Sequence, residues 1–362
     1  MLSVSCFFSA PLQLQFPMSY SLYEHVLGGL LGQALGDAFA MPALLHPEDT
    51  WKRYGGWLTE FHPGPEGHPA HAGLPAGRVT DDTEQAFALA ESIIQDGGVT
   101  VEGAAKALLA WYKSVDGDKA PFVGPSTRKA CQALQQGADP WKTGLTGDTN
   151  GGAMRVCPVG LINPGNPVKA AEDAAASCRP SHFTDVAVSA AAAVAGSVAA
   201  ALQPGISLEE IVAAGRQAAV EGRALGSSWF GASIPRRIDL ALTLVRGSEA
   251  SNQNDVFKRI VDLYDLVGST LAAAEAVPSA FGILCLAEGD PVICARYAAA
   301  LSGDADTVGA IACAIAGAWK GRPAIPDRIA SVLHRANPEL DFEGVARALT
   351  ELAERRMGSE PI

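Results

Sequence analysis

The chain has 362 residues, 48% of them hydrophobic and 18% charged, with a formal charge of −12 at pH 7. That apolar content excludes a disordered chain and is enough for a sizeable core. The acidic balance excludes a general binder of nucleic-acid backbones, which needs a basic face, but not a small anionic ligand held at a helix N-terminus.

Up to Tyr23 the chain has no charged side chain, and Pro11 and Pro17 interrupt its apolar run. A signal peptide carries positive charge ahead of its apolar core. Residues 1–20 therefore read as a disordered N-terminal extension, with Met18 a candidate start. A helix is predicted over Tyr23–Ala40, with Gly28, Gly29, Gly32 and Gly36 along it. Gly55–Arg78 has no period and holds His62, His68 and His71. It reads either as a cover over a small substrate or as a surface loop stiffened by prolines. Helices follow over Asp82–Gln95, Val101–Ser114, Ser126–Gln135 and Pro167–Ala176. The charge-free stretch Val186–Leu208 is mostly alanine, which gains little on entering a bilayer. A central buried helix over Asp185–Leu202 is expected there, not a membrane span. The remaining helices are predicted over Leu208–Glu221, Pro235–Val245, Asp255–Val267, Pro278–Ala287, Pro291–Leu301, Asp306–Trp319 and Phe342–Arg355. Pro278 and Pro291 should open their helices, and Gly97, Gly222 and Gly289 should close theirs.

Alternating β-branched runs, linkers and fixed-period repeats are missing from the pattern. The expected fold class is all-α, one helical domain spanning 21–358. Small residues such as Gly309, Ala312, Ala316 and Gly321 allow close approach of helix axes. The seven cysteines are scattered without a CxxC pair, as in a cytoplasmic protein with reduced, mostly buried thiols. Neither a membrane nor a nucleic-acid partner is expected, and oligomeric state is not readable.

Two acidic segments stand out: Thr80-Asp81-Asp82-Thr83-Glu84 and Asp304-Ala305-Asp306-Thr307. Each puts paired carboxylates and a threonine hydroxyl at a predicted helix start. Capping explains either one alone, since Asp81 and Glu84 have capping-box-like spacing and Asp306 suits an N-terminus. Both together mean four carboxylates beside apolar helices with no lysine or arginine inside either motif. Burying them requires a compensating cation, and hard divalent ions prefer such oxygen ligands. Residue chemistry leaves capping and a Mg²⁺ or Mn²⁺ pair both open. An Asp-x-Asp-Thr phosphatase of the haloacid-dehalogenase kind is disfavoured, because the motif follows an alanine-rich helix near the C-terminus.

A further set of motifs accompanies these segments in order. Gly36-Asp37-Ala38-Phe39-Ala40-Met41-Pro42 precedes Thr80-Asp81-Asp82-Thr83. Asn150-Gly151-Gly152-Ala153-Met154-Arg155 and Ser181-His182 follow, then Val277-Pro278-Ser279-Ala280 and Ser302–Gly309. From about residue 22 to 322 the chain resembles the ADP-ribosylglycohydrolase family. The resemblance implies an all-α orthogonal bundle with two divalent metal ions, Mg²⁺ or Mn²⁺. By position the implied metal ligands are Thr80, Asp81, Asp82, Asp304, Asp306 and Thr307. Asp37, Asn150, Gly151, Gly152, Met154, Arg155 and His182 are implied substrate contacts. Asp37, Asp82 and Asp304 are the candidate catalytic carboxylates that orient a water. From the residues alone, Asn150-Gly151 also fits an ordinary turn, Arg155 a loop lock and His182 a structural histidine.

Leu44 stands where the family often has a glutamate, and Ser302-Gly303 where Gly-Gly is usual. The expected activity is metal-dependent hydrolysis at the anomeric carbon of a ribosyl or ADP-ribosyl compound. The alternatives are a nucleoside or small-ribosyl N-glycosidase and a catalytically inactive scaffold that binds metal and ligand.

Overall fold

Ser21 accepts the Glu24 N–H and opens α1 (Leu22–Ala40), a helix whose second half is buried on every side. The computed structural model describes residues 21–246 and 253–359; the extension expected over 1–20 lies outside the described residues. Helices continue as α2 (Pro47–Tyr54), α3 (Asp81–Asp96), α4 (Val101–Ser114), α5 (Pro125–Gln135), α6 (Pro140–Thr143), α7 (Gly151–Met154) and α8 (Cys157–Leu161). Next come α9 (Pro167–Cys178), α10 (Asp185–Ala201), α11 (Leu208–Leu225), α12 (Ile234–Val245), α13 (Gln253–Leu266), α14 (Ala273–Leu286), α15 (Pro291–Leu301), α16 (Ala305–Lys320), α17 (Asp327–Ala336) and α18 (Phe342–Ser359). Among the described residues there is no strand, only isolated bridges Thr149–Ala272 and Thr184–Ser227. The fold is all-α, as the pattern predicts.

Glycines set the central contact. A Cβ on Gly28, Gly32 or Gly36 of α1 would fall 2.3, 2.2 or 1.9 Å from the carbonyl oxygens of Gly317, Cys313 or Gly309 of α16. The two helices therefore run antiparallel at backbone contact, which any larger residue would prevent. This brings the C-terminal end of α1, with Asp37, against the first turns of α16. The alanine-rich α10 is buried along its whole length, packed by α9 and α11. No helix among the described residues is long and apolar enough to cross a membrane.

Two predicted helix ends are corrected. Pro278 lies inside α14, not at its start. Its missing N–H leaves the Ala274 carbonyl without its helical donor, and the Arg237 guanidinium donates there instead at 3.0 Å. Gly222 does not close a helix but lies within α11, where a Cβ would meet Ala192 Cβ at 2.4 Å. Gly97 and Gly289 do close helices, both in the left-handed region. Helices α2 and α17, and the short α6, α7 and α8, have no counterpart among the predicted helices; α2 and α17 are the longer ones. Helix α2 is short and highly charged, and α17 buries only Ile329, Ala330 and Leu333.

Candidate active site

Thr80 caps α3, its hydroxyl accepting the Asp82 N–H. The same residue is held from below by Asp37, which is fully buried. Asp37 accepts the Thr80 N–H at 3.0 Å and hydroxyl at 2.8 Å, then the Thr83 N–H at 3.2 Å and hydroxyl at 2.6 Å. Gln33 of α1 donates its amide to the Asp82 and Met154 carbonyls, both at 3.0 Å. The start of α3 is thereby fixed to α1 and to α7.

Asp81 and Asp82 in the first turn of α3 face Asp304, the cap of α16, and Asp306 in its first turn. All four, with Thr307, line a cavity of about 470 Å³, a volume suited to a small ligand. The lining also includes the apolar Phe122, Val123 and Leu271, with Tyr264, Asn150, Gly151 and Met154. Among the described residues no lysine or arginine lines this cavity.

The carboxylates have unequal partners. Asp81 accepts the Gln85 amide at 3.1 Å, and Gln85 in turn accepts Arg155 at 3.0 Å. Asp304 accepts the Asn150 amide. Asp306 faces His71 Nε2 at 3.1 Å. Asp82 Oδ1 is buried without a hydrogen-bond partner among the described residues.

Burial and mutual repulsion raise most of these acids. The Asp81 and Asp82 carboxyls are pushed well above the ordinary range by burial, then by the charges of Asp306 and Asp37. Asp304 is pushed up to about 7 by burial and the Asp306 charge, against the Asn150 hydrogen bond. Burial also raises Asp37 to about 7, although the Thr83 and Thr80 hydrogen bonds oppose it. Asp306 differs. Burial works to raise it, but His71 and backbone N–H groups outweigh that and hold it below its ordinary value. Burial likewise works to lower His71, and Asp306 pushes it up to about 9 instead.

As the side chains stand, no three His, Cys, Asp or Glu groups among the described residues form a ready-made metal cage. Asp306 is turned to His71 and Asp304 to Asn150. The donor set nevertheless fits a hard divalent cation: four carboxylates, threonine hydroxyls, and the unpartnered Asp82 Oδ1.

Five of the sequence-predicted site residues are placed behind the wall. Asp37 is sealed off by Thr80 and Thr83, so the structure corrects its expected role in touching substrate or water. Thr80 has its hydroxyl engaged with Asp37 and does not line the cavity. Arg155 is buried and bonds Gln85 and, at 2.6 Å, Ser181. His182 is fully buried between Ser181 at 2.8 Å and Thr149 at 3.1 Å. Burial and then the Arg155 charge hold its pKa well below the usual value, so the ring is neutral. Neither Arg155 nor His182 reaches the cavity, and both brace the loop that does. Gly152 also lies behind it, where a Cβ would meet Cys178 Sγ at 2.7 Å.

Other lining residues carried no individual signal. Of the loop histidines, His68 and His71 line the cavity, whereas His62 packs on Tyr54 at 4.8 Å. Thr127 lines it from the start of α5, whose cap Gly124 supplies no side-chain acceptor. Leu44 is held by its backbone, its N–H donating to Thr50 at 2.8 Å and its carbonyl accepting Gly303 N–H at 3.1 Å. Ser302, at φ 66°, replaces the more permissive glycine and bonds Thr50 through its hydroxyl at 2.7 Å.

The sequence profile of the ADP-ribosylglycohydrolase family matches residues 18–359. An uncharacterized protein of Escherichia coli strain K12, YegU, is 34% identical over 92% of this chain and 98% of its own. The ADP-ribosyl-[dinitrogen reductase] glycohydrolase of Rhodospirillum rubrum is 29% identical over 45% of this chain and 52% of its own. A solved structure described as an ADP-ribosylglycohydrolase-related protein complex superposes with a TM-score of 0.61. Its identity is 26%, over 92% of this chain and 99% of that one.

Proposed function

The chain belongs to the ADP-ribosylglycohydrolase family, and on that premise we propose a metal-dependent hydrolase acting at the anomeric carbon of an ADP-ribosyl compound. One observation carries the metal dependence. Four carboxylates from two helix starts line one cavity without a lysine or arginine, and Asp82 Oδ1 has no partner. Asp81, Asp82, Asp304, Asp306 and Thr307 would hold Mg²⁺ or Mn²⁺ from the cavity side. When bound, such ions supply a Lewis acid for ribose hydroxyls and a water acidic enough to attack near neutral pH.

The remaining work falls to the chain. Asn150 holds the Asp304 carboxylate by its amide, and Gln85, oriented by Arg155, holds Asp81. Carboxylates fixed on one face of the sugar stabilise the positive charge that builds at the anomeric carbon. Asp82 and Asp304 are the cavity-lining candidates to orient the attacking water, since Asp37 is sealed away. The apolar wall of Phe122 and Leu271 excludes bulk water from the leaving group. An anionic part of the substrate has a place at the start of α5. The first N–H groups of α5 receive no side-chain cap, and buried Thr127 lies beside them near Gly151.

The missing lysine and arginine also favour a second reading, in which the substrate is an uncharged nucleoside or small ribosyl compound. Incubation with ADP-ribosylated arginine peptide and with a nucleoside panel, with Mn²⁺, Mg²⁺ or EDTA, separates the two by mass spectrometry. Metal-dependent release of ADP-ribose supports the first reading, and release of a base with ribose the second. Metal binding without either product contradicts both and leaves an inactive scaffold.

A further inference from the structure

His71 belongs to none of the acidic motifs, yet its ring reaches into them. It sits in the non-helical stretch between α2 and α3 and is only 6% exposed. Its Nδ1 lies 3.2 Å from the Met41 carbonyl oxygen. A carbonyl only accepts, so Nδ1 carries hydrogen. The other ring nitrogen, Nε2, then points at Asp306 Oδ2 at 3.1 Å. A proton on Nε2 makes this contact an ion pair; without it the ring directs a lone pair at a carboxylate oxygen, and a metal cation shared by both atoms takes the proton's place. Two atoms bound at right angles to one ion, each about 2.1 Å away, are about 3 Å apart.

The neighbouring histidine is not equivalent. His68 Nδ1 accepts the N–H groups of Ala70 at 3.3 Å and His71 at 3.0 Å, which assigns its hydrogen to Nε2. Its ring stacks on that of His71 at 4.7 Å and backs it. The segment is closely held: the Gly64 N–H donates to Leu74 O at 2.9 Å, and the Leu74 N–H donates to His71 O at 3.1 Å. A Cβ on Gly64 would fall 1.8 Å from the His71 carbonyl oxygen. The imidazole is therefore presented by built backbone.

We propose that His71 Nε2 is a nitrogen ligand to the metal ion held by Asp306. The inference rests on the metal-dependent reading above. An Nδ1–H bonded to a main-chain carbonyl is the usual outer support of a metal-ligating histidine, fixing tautomer and ring orientation. One imidazole among oxygen donors shifts preference away from Mg²⁺ towards Mn²⁺ and later transition ions. The site of this chain is then a mixed nitrogen–oxygen site that discriminates between divalent ions.

The test is pulsed electron paramagnetic resonance on full-length protein loaded with one equivalent of Mn²⁺, unlabelled or with ¹⁵N-histidine. A directly bound imidazole gives a ¹⁴N coupling that converts to ¹⁵N on labelling and disappears in His71→Gln. The same variant should bind Mn²⁺ about tenfold more weakly by calorimetry while Mg²⁺ affinity changes less. Mn²⁺ that binds without histidine coupling, or binds His71→Gln as tightly as or tighter than wild type, overturns the ligand assignment alone. His71 would then be a counter-cation to Asp306. Protein that binds no Mn²⁺ overturns this inference together with the metal-dependent reading.

Discussion

Thr83 of α3 donates its hydroxyl to Asp37 of α1 at 2.6 Å, one of four donor groups by which that buried carboxylate fastens the helix bearing Asp81 and Asp82. A residue that looks catalytic from its motif thus lies where it positions α3, away from the cavity. Asp37→Ala strands buried N–H and hydroxyl donors, so it should destabilise the metal-free protein by about 3 kcal/mol or more. Urea unfolding without metal measures this. An unchanged midpoint would return Asp37 to the role of a group facing substrate.

The glycine seam between α1 and α16 sets the distance between the two acidic segments. Gly36→Ala places a methyl 1.9 Å from the Gly309 carbonyl oxygen, against backbone that cannot turn aside. A loss of at least about 1–3 kcal/mol is expected, with weaker metal binding. Gly358→Ala, which meets nothing within 4 Å near the end of α18, serves as the control and should be neutral or slightly stabilising.

Stability should depend on pH with a definite sign. Asp304 titrates near 7 in the folded, metal-free chain and near 3.8 when unfolded. Between these values the unfolded state holds fewer protons, so this residue's contribution falls as pH rises from about 4 to 7. Asp304→Asn should flatten that fall in metal-free melting curves. Metal ligation requires the deprotonated acid, so Mn²⁺ should raise the melting temperature more at pH 8 than at pH 5.5. The opposite ordering would contradict the acidic cluster as the metal site.

Arg155 reaches the cavity through Gln85 and Asp81 on one side and through Ser181 and His182 on the other. Arg155→Lys keeps a charge but loses the fork that spans Gln85 and Ser181. Metal affinity should fall roughly 10- to 100-fold, as for other outer-layer changes, with little change in KM at saturating metal. A raised KM at unchanged metal affinity would indicate direct contact with substrate.

Much of the fold was legible where local chemistry decides. The periods and caps of α4 and α15 mark both ends to the residue. Pro278 misled because its effect is cancelled from a distance by Arg237, a partner no local pattern reveals. Gly222 misled because packing against Ala192 and helix termination call for the same residue. In the site, the two acidic segments were visible as pairs, and the structure does bring them to one cavity. The burial of Asp37, Arg155 and His182 was not visible, since a motif records identity and not which side of a wall a side chain occupies. His71 was hidden for another reason: its stretch has no period, and its partners Met41 and Asp306 lie 30 and 235 residues away in sequence.

The most direct test of the central claim is Asp82→Asn, measured in parallel for Mn²⁺ binding by calorimetry and for turnover of ADP-ribosylated arginine peptide. The change is nearly isosteric and removes the charge of the carboxylate whose Oδ1 has no partner. Binding and turnover should fall together, each by tenfold or more, while the circular dichroism spectrum stays helical. Turnover at the wild-type rate with metal affinity lost would contradict a metal-dependent hydrolase.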